Sequence, residues 1–175
     1  VRVWNPAAGG AAIVAEPEGH SGDVSALLTF VDPATGALRV ATAGGHPDET
    51  IRVWDAETGG ALLVIDVGSS VDALTFFVDP ATGAPRLACS SFDGKVRVFD
   101  PIAGGDALLV LDVGSEVEAL AFFADPATGA PRLACGCYDK KVRVIDPVAG
   151  CEALAVIDVG SVVRALAVFA DPATG

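Results

Sequence analysis

The sequence predicts an all-β chain built from repeated four-stranded antiparallel meanders, and three observations carry that reading. A five-residue stretch recurs four times, as Val1-Arg2-Val3-Trp4-Asn5, Ile51-Arg52-Val53-Trp54-Asp55, Val96-Arg97-Val98-Phe99-Asp100 and Val142-Arg143-Val144-Ile145-Asp146, with its arginines 50, 45 and 46 residues apart. Self-similarity at such a period is the mark of a repeat architecture. Residues 71–116 and 117–162 agree at 32 of their 46 positions. Each block is made of short β-branched and aromatic runs cut by turn residues, the pattern of strands rather than helices.

The elements follow in order within the block 71–116. Strand a is 71–78, strand b 86–91, strand c 95–100 and strand d 107–112. Asp79-Pro80-Ala81-Thr82-Gly83 joins a to b, and the same pentapeptide stands at 32–36, 125–129 and 171–175. Proline presets φ early in the turn, and glycine takes the positive φ that ends it. Asp93-Gly94 is a two-residue hairpin signal between b and c. Strands a and b are apolar on both faces, so each sheet needs a cover on both sides, as in stacked blades. Arg97 is expected across from Asp112, Arg143 from Asp158 and Arg52 from Asp66, as cross-strand ion pairs.

Composition bounds the function. The chain has 175 residues, is 51% hydrophobic and carries a net charge of −12. That charge disfavours nucleic acid and anionic membranes, which select basic surfaces. No apolar run reaches the ~20 residues of a membrane helix, no signal peptide is visible, and the sequence contains no Met. Cys89, Cys135, Cys137 and Cys151 read as small buried residues kept reduced in a cytoplasmic setting. Cys135-x-Cys137 lacks the histidine and spacing of a zinc site. No P-loop and no Gly-x-Ser-x-Gly elbow occurs. No cofactor, metal or catalytic residue is therefore expected.

With these residues in view, the chain resembles the WD40 repeats of β-propellers. Strand c ends in Trp54-Asp55, Gly19-His20 precedes strand a of the same repeat, and Asp48 lies six positions before Trp54. Asp93 and Asp139 hold the same hairpin place in later repeats. The resemblance implies a tetrad of His20, Asp48, Trp54 and a strand-b hydroxyl that ties one blade together. The later repeats have Val-Gly-Ser for Gly-His, and Phe99 or Ile145 for the tryptophan, so they must rest on apolar packing.

Mapped on the repeat, the chain is one array. Residues 1–16 give strands c and d of a shared blade, 24–66, 71–112 and 117–158 give complete blades, and 163–170 give strand a of the closing blade. Twelve residues, equivalent to 130–141, separate this from four whole repeats, and they correspond to strand b. Eight blades turn by ~45° each, so four make a half ring with two wet end faces. Each face is roughly 800 Å² per partner, the size of a standard interface. One expectation is a head-to-tail homodimer closing an eight-bladed ring through Val1, Val3, Trp4, Val163, Leu166 and Val168. The other is a piece of a longer seven- or eight-bladed protein, which the absent Met and absent strand b favour.

Function is expected on the end of the sheets where the repeats differ. The first complete repeat has insertions in its d–a and b–c connections, holding Glu18, His20, Asp23, His46, Asp48 and Glu49. Loops on a rigid frame are common sites of recognition. The expectation is a non-enzymatic interaction scaffold whose other protein partner is unknown, with His20 and Asp48 as a remote catalytic alternative.

Overall fold

The chain is described by a computed structural model at residues 2–3, 13–14, 19–150 and 152–169. Three four-stranded antiparallel sheets follow one another. The first holds β3 (Val24–Val31), β4 (Leu38–Gly44), β5 (Thr50–Asp55) and β6 (Ala61–Asp66). The second holds β7 (Val71–Val78), β8 (Pro85–Ser91), β9 (Lys95–Phe99) and β10 (Leu109–Asp112). The third holds β11 (Val117–Ala124), β12 (Pro131–Cys137), β13 (Lys141–Ile145) and β14 (Ala155–Asp158). Before them, β1 (Arg2–Val3) pairs with β2 (Ile13–Val14) alone among the described residues. No helix of the described residues is long and apolar enough to cross a membrane.

The local chemistry explains the repetition. In the three described Asp-Pro-Ala-Thr-Gly turns the glycine N–H donates back to the aspartate carbonyl, at 2.8 Å for Gly36 and Gly83 and 2.7 Å for Gly129. These glycines have φ of 73°, 70° and 69°, a region costly for residues with a Cβ. The aspartate carboxylate accepts from the alanine N–H two residues on, at 2.9 Å in all three turns. An Asx turn of this kind fixes the reversal with bonds internal to the turn. At the start of each strand a, a bulge skips Ser25, Asp72 or Glu118.

The sheets stack face to face, β3 against β7 and β7 against β11. Between the first two lies a core of Phe30, Ile51, Val53 and Ile65 against Val71, Leu87, Cys89 and Phe99. Between the second and third, Phe77, Val96 and Val98 meet Val117, Leu133, Cys135 and Ile145. The same pair of strand-a positions stacks aromatic rings at both joints, Phe30 on Phe76 with centroids 4.7 Å apart and Phe77 on Phe122 at 4.8 Å.

The expected register of the charges is corrected. Arg97 lies opposite Val110, and Asp112 faces Lys95; Arg143 lies opposite Val156, Asp158 faces Lys141, and Arg52 lies opposite Val64. Strand c begins directly after the hairpin, so the lysine or threonine at its first position meets the aspartate that closes strand d. The arginine two residues on turns back toward the hairpin instead. Strand d of the second sheet is also shorter than expected, starting at Leu109 rather than 107. Residues 163–169, expected as strand a, pair with no strand among the described residues.

Equivalent positions differ sharply in exposure along the stack. Val71 and Val117 are 0% exposed, whereas Val24, in the same place on the first sheet, is 46% exposed. Ile65 is 3% exposed, whereas Ile157, two repeats later, is 52% exposed. Leu27 on the first sheet and Val159 on the third are exposed as well.

Candidate functional site

The polar centre of the chain lies in the first complete sheet. The d–a and b–c connections meet at one end of the stack, where Gly45 N–H donates to the Asp23 carbonyl at 2.8 Å. That juxtaposition brings His20 over the hairpin. His20 Nδ1 lies 2.6 Å from Asp48 Oδ1, and His20 Nε2 lies 2.7 Å from Thr42 Oγ1. Trp54 Nε1–H donates to the same Thr42 oxygen at 2.8 Å. With the imidazole proton on Nδ1, every donor meets an acceptor: indole to Thr42, Thr42 hydroxyl to His20, His20 to Asp48. The chain of bonds joins strand b, strand c, the b–c hairpin and the segment before strand a.

Asp48 is the end point of that chain. Burial works against its charge, but hydrogen bonds from Thr50, His20 and the Ser21 backbone outweigh it and hold the carboxyl well below the usual carboxylate range. Ser21 N–H donates to Asp48 Oδ2 at 2.7 Å and the Thr50 hydroxyl to Oδ1. Both His20 and Asp48 side chains are buried. Trp54 is buried with Val40 and Ala56.

The later sheets treat the same aspartate differently. Arg97 donates to Asp93 through both terminal nitrogens, at 3.1 and 2.5 Å, and one of them also reaches Ser91 Oγ at 2.6 Å. Arg143 holds Asp139 in the same bidentate way, at 2.9 and 2.6 Å. The hydrogen bond from Arg97 lowers Asp93, and the one from Arg143 lowers Asp139. In the first sheet the corresponding Arg52 stands 3.8 Å from Asp48. Thr42 corresponds to Cys89 and Cys135, whose thiols burial pushes up to about 12. That removes thiolate chemistry at neutral pH.

Of the six loop residues singled out in the sequence, His20 and Asp48 point inward and are fully engaged. His46 points outward with its side chain 81% exposed, and its Nδ1 lies 3.2 Å from Glu49 Oε1. Asp23 is exposed, and Glu18 lies outside the described residues. Of the strands expected to self-associate, Val1 and Trp4 lie outside the described residues, Val3 lies in β1, Val163 and Leu166 are half-buried, and Val168 is exposed. Cys151 also lies outside the described residues. Thr42 is the residue that sequence reading left unnamed, because one threonine in an apolar strand carries no local signal. Among the described residues no cluster of histidine, cysteine and carboxylate groups is arranged to hold a metal ion.

No family model and no curated protein matches the chain. Solved structures do. The chain is similar to the computationally designed Ika8 protein, with 29% identity and a TM-score of 0.72 over 97% of this chain and 46% of that one. It is similar to the computationally designed Ika4 protein at 28% identity, with a TM-score of 0.67 over 90% of this chain and 86% of that one. It is also similar to Sqt1 of Saccharomyces cerevisiae, with 16% identity and a TM-score of 0.72 over 94% of this chain and 46% of that one. The chain therefore spans about half the length of Ika8 and Sqt1, and most of the length of Ika4. Its fold is that of β-propeller blades, stacked sheets of four antiparallel strands.

Proposed function

We propose that this chain is a non-enzymatic scaffold of WD40 type, a half-propeller that binds a second copy of itself head to tail to form a closed eight-bladed ring. The observation that carries this is the exposure of Val24 and Ile157 at the two ends of a stack in which their counterparts Val71, Val117 and Ile65 are buried. Apolar surface of that extent is stabilised by removal from water. The two ends are opposite faces of the same blade type, so one contact used twice covers both and closes the ring. The similarity to Ika4 over nearly all of its length and to Ika8 over half of it supports a half-length unit of this fold. The buried His20–Asp48 pair supports the non-enzymatic reading, since the imidazole is already spent on Thr42.

Sedimentation velocity on Leu27→Asp tests this. A carboxylate at the first sheet's open face should release single copies while the fold persists. A variant that sediments as the wild type does would remove that face from any self-contact.

A second reading rests on the inserted hairpin. His46, Glu49 and Asp23 stand out of the loop end as a small polar relief on a rigid frame, which supports a protein partner there. The propeller BBS1N has been solved in complex with ARL6DN, so a blade array of this kind is compatible with such a role. Alanine at His46 and Glu49 should weaken capture of that partner without changing the mass of the particle.

A further inference from the structure

The residue skipped by the bulge differs from one strand a to the next: Ser25 in the first sheet, Asp72 in the second and Glu118 in the third. The place is the same, and it lies at the joint with the following sheet. The Ser25 hydroxyl reaches two carbonyl oxygens there, that of Ala43 on its own strand b at 3.2 Å and that of Val71 at the start of the next sheet. A hydroxyl is a donor, so it satisfies carbonyls on both sides of the first joint in turn.

At the second joint the counterparts of those carbonyls belong to Ser90 and Val117. The backbone repeats, but the side chain between them is an acid. Asp72 Oδ2 is shielded from water and has no hydrogen-bond partner. An ionised carboxylate can only accept, so it has nothing to give a carbonyl, whereas a protonated one donates. The charges that act on Asp72 most are also acidic: Glu116 and Glu118 from the third sheet, and Asp93 from the b–c hairpin. The nearby cations are turned to those neighbours, Arg97 and Lys95 to Asp93 and Arg164 to Glu118. Cys89 on β8 is fully buried, and its thiol is neutral. The second sheet is covered on both faces, so this setting belongs to the interior of the stack.

We propose that Asp72 is a proton-operated lock between the second and third sheets: protonated, it donates across the joint to the Val117 carbonyl as Ser25 does to Val71, and ionised, it loosens that joint. Burial, then the three acids, push this carboxyl up to about 6. A group raised in the folded state stabilises it below that range, so the joint is closed in mild acid and loosens as pH rises through about 6. The loosening acts on the d–a connection, which is wedged between two hairpins. Val113 N–H donates to the Gly94 carbonyl at 3.0 Å, Tyr138 N–H to the Glu116 carbonyl at 2.9 Å and Asp139 N–H to Ser115 Oγ at 3.2 Å. Serine does not titrate in this range, so the first joint stays closed throughout. The second joint lies inside one chain, so the lock works in one copy or two.

The test is an NMR titration of the intact chain, reading the Asp72 carboxyl carbon together with amide exchange corrected for its intrinsic pH dependence. The Asp72 carbon should titrate well above the other aspartates. Protection of the amides at 117–119 should fall by roughly tenfold or more between about pH 5 and about pH 7.5, while that at 71–73 holds. Asp72→Ser, the residue of the first sheet, should keep the second joint protected at both pH values, and Asp72→Asn, whose amide also donates, should do the same. Asp72→Ala has neither charge nor donor and should protect the joint less than Asp72→Ser. An Asp72 carbon that titrates with the ordinary carboxylates would overturn the proposal, as would protection at 117–119 that ignores pH or falls equally at both joints. Equal protection in the alanine and serine variants would remove the hydrogen bond across the joint, and with it the lock. Should the variants not fold, the wild-type titration and its two joints still decide.

Discussion

In the first complete sheet the b–c hairpin is tied down by His20, Thr42 and Trp54 around Asp48. In the two sheets that follow, the aspartate in the same place is clasped by an arginine four residues along its own strand, Arg97 on Asp93 and Arg143 on Asp139. Such a network is exchanged as a unit. Where the histidine is gone, the threonine has become Cys89 or Cys135 and the tryptophan has become Phe99 or Ile145, so neither an indole N–H nor a threonine hydroxyl is left there to be orphaned. Removing all partners together is nearly neutral, whereas removing one leaves an unsatisfied polar group at ~1–3 kcal/mol. The arginine serves the hairpin alone. The tetrad also ties in the segment before strand a.

The largest effect expected is from Trp54→Ala, which empties the space beside Val40 and Ala56 and takes the indole donor from Thr42. It should cost about 3–5 kcal/mol in urea unfolding, while Phe99→Ala in the second sheet should lose packing only. Next is Thr42→Val, which strands both His20 Nε2 and the Trp54 N–H at about 1–3 kcal/mol. Combining it with His20→Ser and Trp54→Phe, the chemistry of the later sheets, should cost less than the three single changes added together. An additive triple variant would break the idea of a unit. Asp93→Asn should cost less still, about 1 kcal/mol or under, because Asp93 stands exposed on the hairpin.

The smallest effects are in pH dependence, and two carboxyls run in opposite directions. Burial, then Glu116, Glu118 and Asp93, push Asp72 up to about 6 from 3.8. Its contribution to stability is therefore complete below about pH 4 and is lost as pH rises through about 6. Asp72→Asn should flatten that slope and raise the melting temperature at neutral pH. Asp48, held below its usual range, contributes fully above pH 3.8 and loses that contribution as pH falls below it. Melting curves across pH 3–7 for the two asparagine variants would separate the contributions.

The strands and turns were legible because each repeat spells them locally. Asp-Pro-Ala-Thr-Gly and Asp93-Gly94 place the reversals, and apolar runs lie between them. Blade stacking followed from strands that are apolar on both faces. The ion pairs were not legible, because a strand shows which residues share a face but not the offset to its neighbour. Moving Asp112 from Arg97 to Lys95 is a two-residue slip that leaves every side chain on the same face. His20 and Asp48 were visible through their resemblance to a known pattern. Thr42 was hidden, since its role depends on two residues 22 and 12 positions away.

The proposed ring requires that a stack with uncovered apolar faces at Val24 and Ile157 not stand alone in water. Light scattering on the chain decides this by mass. A single particle of two copies, twice the 17.6 kDa of one chain, is expected. A monodisperse, folded particle of one copy would refute the ring.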